Sequence, residues 1–261
     1  WERTAAKQPL TFYVGLGHAE RPADYWEAYH TWAAYSNRVN GQTASPSTTR
    51  PAKEKNTQLD LGWVYTGEKT NASLSLYYAH IDDFILRKPQ IGMGSTARTP
   101  YANVDARLYG FEAEVTRTVS PLWTLGASLA YTRGDDRTND APLPQIAPLE
   151  ANLTAKYSHK KAEANAVWRL VSKQNRYHRG YGSVTGTDYD PTGGFGILSL
   201  SLAYRPDENL TFSLGVDNLL NKTYAEFVNY SEAAIPALGI SAGGHITEPG
   251  RTLWLKGSYK F

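Results

Sequence analysis

The sequence has no cysteine, so it contains neither a disulfide framework nor a reactive thiol. It also lacks any apolar run of about 18 residues, which excludes a transmembrane helix. The formal net charge of +2 is near neutral and argues neither for nor against a nucleic-acid partner. Its first residue is Trp1 rather than Met, and no signal peptide is visible. We therefore expect a mature protein or a fragment.

Aromatic residues are plentiful by contrast, with 18 Tyr and 7 Trp. The last stretch, from Arg251 to Phe261, alternates apolar and polar side chains with a period of two. Leu253, Leu255, Tyr259 and Phe261 fall on one face. Such alternation is typical of a strand with one apolar and one wet face, either an edge strand of a soluble sandwich or a strand of an outer-membrane barrel. A barrel explains why the last strand is long and amphipathic, because it must close on another strand.

The same alternation recurs along the chain and predicts about ten strands, the first near residues 9–19. A slip in parity near Asp82 and Asp83 predicts a β-bulge. Long and short connectors alternate, with long loops predicted near 21–55, 88–99, 134–146, 175–193 and 222–249. Short turns on the periplasmic side and long extracellular loops are typical of transmembrane barrels. The sequence therefore predicts an all-β fold, an antiparallel transmembrane β-barrel portion. A short helix is also compatible with Asp24–Tyr35.

Several separate motifs along the chain resemble those of TonB-dependent outer-membrane receptors. Val216–Tyr224 is similar to the family's "NLFNKxY" element, with Asn218, Asn221 and Tyr224 in matching positions. Pro249, Gly250 and Arg251 resemble its "PGR" element, and Phe261 its terminal aromatic residue. Gly110–Glu114 resembles a recurrent "GxExE" strand, and Lys53–Asn56 imperfectly resembles a strand entry. Five matches in the right order, over the whole chain, indicate this family.

The resemblance implies that residues 1–261 form the carboxy-terminal part of a barrel of about 22 strands. It also implies that the plug domain, the TonB-contacting segment and roughly the first 12 strands lie outside this sequence. The expected location is the outer membrane of a Gram-negative bacterium, and the expected partners are membrane lipid, those missing parts and, through them, the TonB complex. Neither nucleic acid nor a cofactor is expected.

A weaker resemblance, carried by Gly15–Glu27 and Lys222–Glu226, points to the copper-receptor branch of the family. It implies copper or another metal as cargo, with the main ligands in the missing parts. The sequence departs from that branch at Phe227, where a His usually follows.

The candidate site residues lie in the predicted loops. Imidazole and thioether groups suit copper, so Met93, His178 and His245 are candidate metal ligands, although no pair has ligand spacing and all three could be ordinary loop residues. The aromatic cluster Tyr25–Tyr35, which includes Tyr25, Trp26 and Tyr29, could form a platform for a sugar or siderophore or could be interfacial packing. His178 and His245 are further candidates for ligand binding. The pairs Asp82–Asp83, Asp135–Asp136 and Asp188/Asp190 could coordinate a hard cation or be solvated loop charge.

Three functions remain open from the sequence. The first is energy-coupled import of a scarce nutrient, such as a metal ion or a metal–siderophore chelate. The second is a passive porin, since a small closed barrel needs no plug. The third is a barrel enzyme, but the sequence has no Gly-x-Ser-x-Gly motif and its six His are scattered. The family motifs favour the importer, with no catalytic residues.

Overall fold

The structure is a computed structural model. It describes residues 1–5, 9–24, 27–28, 51–89, 100–183, 186–229 and 245–261. Within these ranges the chain forms 12 strands, which are β1 (Glu2–Thr4), β2 (Leu10–Arg21), β3 (Glu54–Thr66), β4 (Thr70–Arg87), β5 (Tyr101–Thr118), β6 (Trp123–Asp136), β7 (Ala141–Pro142), β8 (Glu150–His159), β9 (Ala162–Val171), β10 (Phe195–Tyr204), β11 (Leu210–Asp217) and β12 (Thr252–Tyr259). Apart from the short β1 and β7, these are the predicted strands, and the all-β antiparallel fold is confirmed. No helix in the described ranges has the length and apolarity needed to cross a membrane.

The strands form one antiparallel sheet in chain order, except that β8 follows β6 and the two-residue β7 pairs with β6 alone. The two ends of this order do not pair with each other in the described part of the chain, so the sheet is open. A short additional strand, β1, lies outside the predicted first strand at one edge of the sheet. β1 pairs with Thr11–Tyr13 of β2, and the amino group of Trp1 donates to the carbonyl of Val14. Three residues are too few for alternation to reveal a strand.

The connections follow the predicted alternation of length. Tight turns join β3 to β4, β5 to β6, β8 to β9 and β10 to β11, all at one end of the sheet. In the β5–β6 turn, the Ser120 hydroxyl accepts hydrogen bonds from the N–H groups of Leu122 and Trp123. The strands that flank the five predicted long loops meet at the opposite end. We call these the short-turn end and the loop end.

The predicted bulge in β4 is present. The register between β4 and β5 shifts between Ile81 and Phe84, and Asp83 has a positive φ of 60°. β3 begins at Glu54, so Glu54–Asn56 of the segment that resembles a strand entry lie within the strand rather than before it.

The side chains divide between two faces as predicted. Most of the large apolar side chains on the outer face are 38–80% exposed, and Leu129 is partly exposed. The exposed ones are Leu125, Leu153, Trp168, Leu200, Leu202, Phe212, Leu214 and Leu255. On the other face Asn152, Arg169 and Ser199 line a recess, Glu150 and Ser213 are half-buried, and Lys256 is exposed opposite Ser213.

A small buried core lies at the loop end. Ala79, Ile81 and Ala106 of β4 and β5 pack with Leu143 of the β7–β8 connection, and all are less than 6% exposed. A single sheet cannot bury a face against itself, so the loops supply the apolar cover here.

Candidate functional site

Arg169 lies at the centre of an ionic network on the inner face. One of its guanidinium nitrogens donates to Glu150 of β8 at 2.6 Å and to Glu226 at 3.2 Å, and its other terminal nitrogen also contacts Glu226. Its guanidinium carbon lies 5.4 Å from the centroid of the Phe195 ring, which itself packs at 4.4 Å against Tyr224. Glu226 and Tyr224 belong to the connection after β11. The network therefore fixes the start of that connection to the inner wall.

The motif residues Asn218 and Asn221 hold the two ends of the β11–β12 connection together. Asn218 is 3% exposed; its side-chain amide accepts from the N–H of Lys222 and donates to the carbonyls of Lys222 and Pro249. Asn221 accepts a hydrogen bond from the N–H of Arg251 at 2.9 Å. Both asparagines have positive φ, 51° and 52°, a conformation that Asn tolerates better than most residues. We call these contacts the asparagine clasp.

Gly250 is required at the clasp because a Cβ atom there would lie 2.8 Å from the side-chain oxygen of Asn221. Phe261, in contrast, is fully exposed at the short-turn end and packs on Tyr259, at 5.2 Å between ring centroids. The structure thus brings Asn218, Asn221, Tyr224 and the Pro249–Arg251 segment together, and leaves Phe261 apart. Their contacts support the sheet rather than a ligand.

Asp188 organises the connection between β9 and β10. It is 1% exposed, and it accepts hydrogen bonds from the backbone N–H and side chain of Gln145 and from the N–H of His178. Gln145 has a positive φ of 61°, a strained conformation that these bonds help to hold. Burial raises the pKa of the Asp188 carboxyl, and the donated hydrogen bonds offset part of this effect.

The two candidate histidines lie against the same short segment. His178 is bonded to Asp188 through its backbone, and its ring stacks on Tyr181 with centroids 3.6 Å apart. The Nε2 atom of His245 lies 2.9 Å from the carbonyl oxygen of Asp190. Since a carbonyl can only accept, Nε2 carries the proton, and Nδ1 of a neutral ring keeps its lone pair. In both rings Nδ1 is buried without a hydrogen-bond partner among the described residues.

These positions do not amount to a preformed metal centre. No group of three or more His, Asp or Glu side chains suited to a metal occurs within the described ranges. Tyr25, Trp26, Tyr29 and Met93 lie outside those ranges. Phe227, at the position where the copper branch usually has His, is 2% exposed and is a packing residue.

The start of the first long connection is described as far as residue 28. Asp24 and Glu27 exchange side chain–backbone hydrogen bonds, the capping-box pattern of a helix start, and most of the predicted helix at Asp24–Tyr35 lies outside the described residues. The Glu27 side chain is 1% exposed and pairs with Arg21 at 2.7 Å. Arg21 also pairs with Glu54 of β3.

The two roles predicted for the acidic pairs, cation ligand or solvated loop charge, do not describe all of them. Asp82 is exposed, as solvated charge would be, and Asp83 is partly exposed and paired with Lys55, but Asp136 and Asp188 are 1% exposed. Asp136 accepts hydrogen bonds from Thr138 and Asn139 in the turn after β6. These two carboxylates are buried anchors of loops. Sequence alone gave no sign of burial, because Asp in a polar stretch looks the same whether its charge is solvated or satisfied by backbone N–H groups.

Sequence reasoning also missed the bond between Arg169 and Glu226. Arg169 lies on the inner face of β9, and its partner lies 57 residues away. An isolated Glu in a long loop carries no periodic signal. The one available clue was its position next to the Tyr224 motif.

Comparison with known proteins places these features in a family. The family described as TonB dependent receptor-like, beta-barrel matches residues 4–219. The ferric-pyoverdine 358 receptor of Pseudomonas putida is 24% identical over 226 residues, which is 82% of this chain and 26% of that protein.

Solved structures extend the match to the whole chain. The copper transporter OprC is 40% identical, with a TM-score of 0.89 over 100% of this chain and 38% of its own. The ferric enterobactin receptor PfeA of Pseudomonas aeruginosa, in a mutant form bound to enterobactin, is 20% identical with a TM-score of 0.71, and 40% of it is covered.

This chain therefore spans about a quarter to two fifths of the length of these relatives. The family and these relatives are receptors and transporters rather than enzymes. TonB-dependent receptors are proteins of the Gram-negative outer membrane, and this chain belongs to the β-barrel of the TonB-dependent receptor family.

Proposed function

We propose that this chain is the carboxy-terminal part of a receptor that imports copper across the outer membrane, with energy supplied through TonB. The observation that carries the choice of cargo is the similarity to OprC. The identity is 40% over the whole chain, against 20% for PfeA and 16% for the ferric-catecholate receptor Fiu from E. coli. The coarser function, import of a metal or a metal chelate, is common to all of these relatives.

The residues at the loop end support a contribution to metal capture. His245 offers an imidazole Nδ1 with a free lone pair, and His178 offers a second buried ring nitrogen beside the same segment. Imidazole is a good ligand for copper. The main ligands would belong to parts of the receptor outside this chain, and His178 and His245 would receive or pass on the ion.

The open sheet supports the proposal that this chain is one part of a larger receptor barrel. Its two edges carry unpaired backbone N–H and C=O groups, and each such group costs several kcal/mol in hydrocarbon. Further barrel strands would pair with these edges in the receptor. The inner face, with Glu112 and Glu114 exposed on it, would then contact a plug domain.

The test is to delete the gene and measure cell-associated copper and iron under limitation of each metal. We expect copper to fall and iron from ferric siderophores to be unchanged. Loss of iron uptake with normal copper would assign the receptor to a siderophore. Uptake that persists without TonB would instead favour the passive porin.

A matched pair of variants tests the histidines. In the full-length receptor, His245→Ala should weaken copper binding by roughly 10-fold or more, because even residues that only support a metal ligand contribute this much. His159→Ala at the short-turn end is the control and should leave binding unchanged. Equal affinities in both variants would remove His245 from the proposal but not the import of copper.

A further inference from the structure

A cluster of arginines lies on the outer face of the sheet at the loop end. In β6, Trp123, Leu125, Ala127, Leu129 and Tyr131 share the lipid-facing side, with an aromatic residue at each end. The same alternation places Arg133, two residues beyond Tyr131, on that side. In β5 it places Arg107 there, two residues beyond Tyr109. Both arginines therefore continue the outward face past the apolar band.

This position corresponds to the headgroup level of a membrane. The eight residue-to-residue steps from Trp123 to Tyr131 span roughly 26 Å along the strand, close to the apolar band of about 25 Å in outer-membrane barrels. Tyr and Trp mark the two interfaces of such a band. The arginines lie just beyond the Tyr109 and Tyr131 level, at the loop end. In a receptor with extracellular long loops, this is the outer leaflet.

The cluster has more positive charge than its own carboxylates can neutralise. Asp135 is contacted by Arg107 at 2.7 Å, Arg176 at 2.6 Å and Arg133 at 3.5 Å. Arg137 and Asp140 line the same recess, which has a volume of about 200 Å³. Within the lining of this recess, four guanidinium groups thus face two carboxylates, which leaves the recess positively charged.

Donor groups of the cluster are free to bind an anion. The Asp135 side chain is 13% exposed, whereas those of Arg107, Arg133 and Arg176 are 31–41% exposed. The Nε atom of Arg107 is buried and has no hydrogen-bond partner in the described part of the chain. Elsewhere at this end, Lys53 is paired with Glu20 and Lys55 with Asp83.

We propose that Arg107, Arg133 and Arg176 bind a phosphate group of a phosphorylated glycolipid in the outer leaflet. The planar guanidinium group matches phosphate geometry and can bind it through two parallel hydrogen bonds. Arg107 and Arg133 hold the phosphate against the wall. Arg176 belongs to the β9–β10 connection, which Asp188 also organises, so the lipid stabilises that connection from outside. This site is independent of the identity of the cargo.

The experiment compares two variants of the full-length receptor extracted from outer membranes. Arg107→Gln/Arg133→Gln removes the site, and Arg117→Gln is the control. Arg117 is exposed on the same face of the same strand, ten residues away at the short-turn end. Native mass spectrometry measures the co-purified glycolipid. We expect the wild type and Arg117→Gln to retain it, and the double variant to bind it about 10-fold more weakly or worse, since charge-assisted hydrogen bonds are lost. Equal retention in all three would overturn the proposal.

A second measurement needs no variant and applies even if the double variant fails to fold. The delipidated wild-type receptor is titrated with phosphorylated lipid A, with its dephosphorylated form and with inorganic phosphate, and thermal unfolding is followed. We expect only the phosphorylated lipid to raise the Tm. Equal stabilisation by both lipid forms would exclude a phosphate site, and equal stabilisation by inorganic phosphate would assign an anion site without a lipid.

Discussion

At the scale of single residues, Asp188 offers a direct test of how the β9–β10 connection is held. In Asp188→Asn, the side chain keeps one acceptor oxygen. An NH2 group, which can only donate, replaces the carboxylate oxygen that accepts a hydrogen bond from the N–H of His178. One buried N–H then loses its acceptor, which should destabilise the connection by about 1–3 kcal/mol. Amide hydrogen exchange at His178 and Gln145 would report the change, with Asp190→Asn, a partly exposed neighbour, as control. Unchanged exchange would show that Asp188 is not an anchor.

The same carboxyl predicts a pH dependence. Because burial raises the pKa of Asp188, the folded loop holds a proton more tightly than the unfolded loop does. Its contribution to stability should therefore be largest below the ordinary pKa of Asp and should fall as pH rises to the raised value. Exchange protection of the His178 N–H should follow this trend in the wild type. The trend should be absent in Asp188→Asn, and a slope of the same size in both would contradict the assignment.

Leu214 and Ser213 are adjacent residues on opposite faces of β11. Leu214 is 53% exposed and lies opposite Leu202 and Leu255 at the lipid side. Leu214→Arg places a charge near the middle of the apolar band and should cost roughly 2–4 kcal/mol in a barrel-folding assay. Ser213→Asn, on the wet face, should cost far less. Equal losses of folding free energy in the two variants would contradict the assignment of Leu214 to the lipid face and Ser213 to the wet face.

At the scale of elements, the asparagine clasp should depend on both backbone conformation and side chain. Asn221→Ala removes the acceptor of the Arg251 N–H and places Ala at a φ of 52°, which L-residues other than Asn, Asp and Gly avoid. Together these changes should cost roughly 2–3 kcal/mol. Asn221→Gly restores the backbone freedom and should recover part of the loss. Amide hydrogen exchange of the Arg251 N–H measures the loss in both variants. Identical exchange rates in Asn221→Ala and Asn221→Gly would rule out a backbone contribution.

The elements were largely predictable from the sequence, because a one-sided environment imposes a period of two on every long strand. The bulge at Asp83 was visible as a break in that period. β1 was not, because three residues cannot establish a period. The partners of Asp188 and Arg169 were not predictable either, since buried polar contacts between distant loops leave no periodic trace. The sequence therefore predicts which loops form the candidate site, but not which side chains contact one another within it.

At the scale of the whole molecule, the open sheet predicts what residues 1–261 can do in isolation. For the sheet to close, its two edges would have to pair with each other. The strand tilt and the shear would then both have to change from the values of a large barrel. Reconstituted alone in a planar bilayer, the chain should give no uniform conductance steps. Conductance by the full-length receptor provides the reference. A single, reproducible step size from the isolated chain would indicate a closed small pore and would restore the porin interpretation.

The asparagine clasp has a consequence for how such a receptor can change. Its contacts join residues 218–222 to Pro249 and Arg251, and further bonds join Tyr224 and Asn229 to Glu248. The pairing of β11 with β12 is thereby fixed at the base of the connection, whatever lies between residues 229 and 245. We therefore expect insertions, deletions or exchanges in that interval to leave the sheet register intact. The connection is modular at this point, so its surface can diversify without rebuilding the wall that carries it.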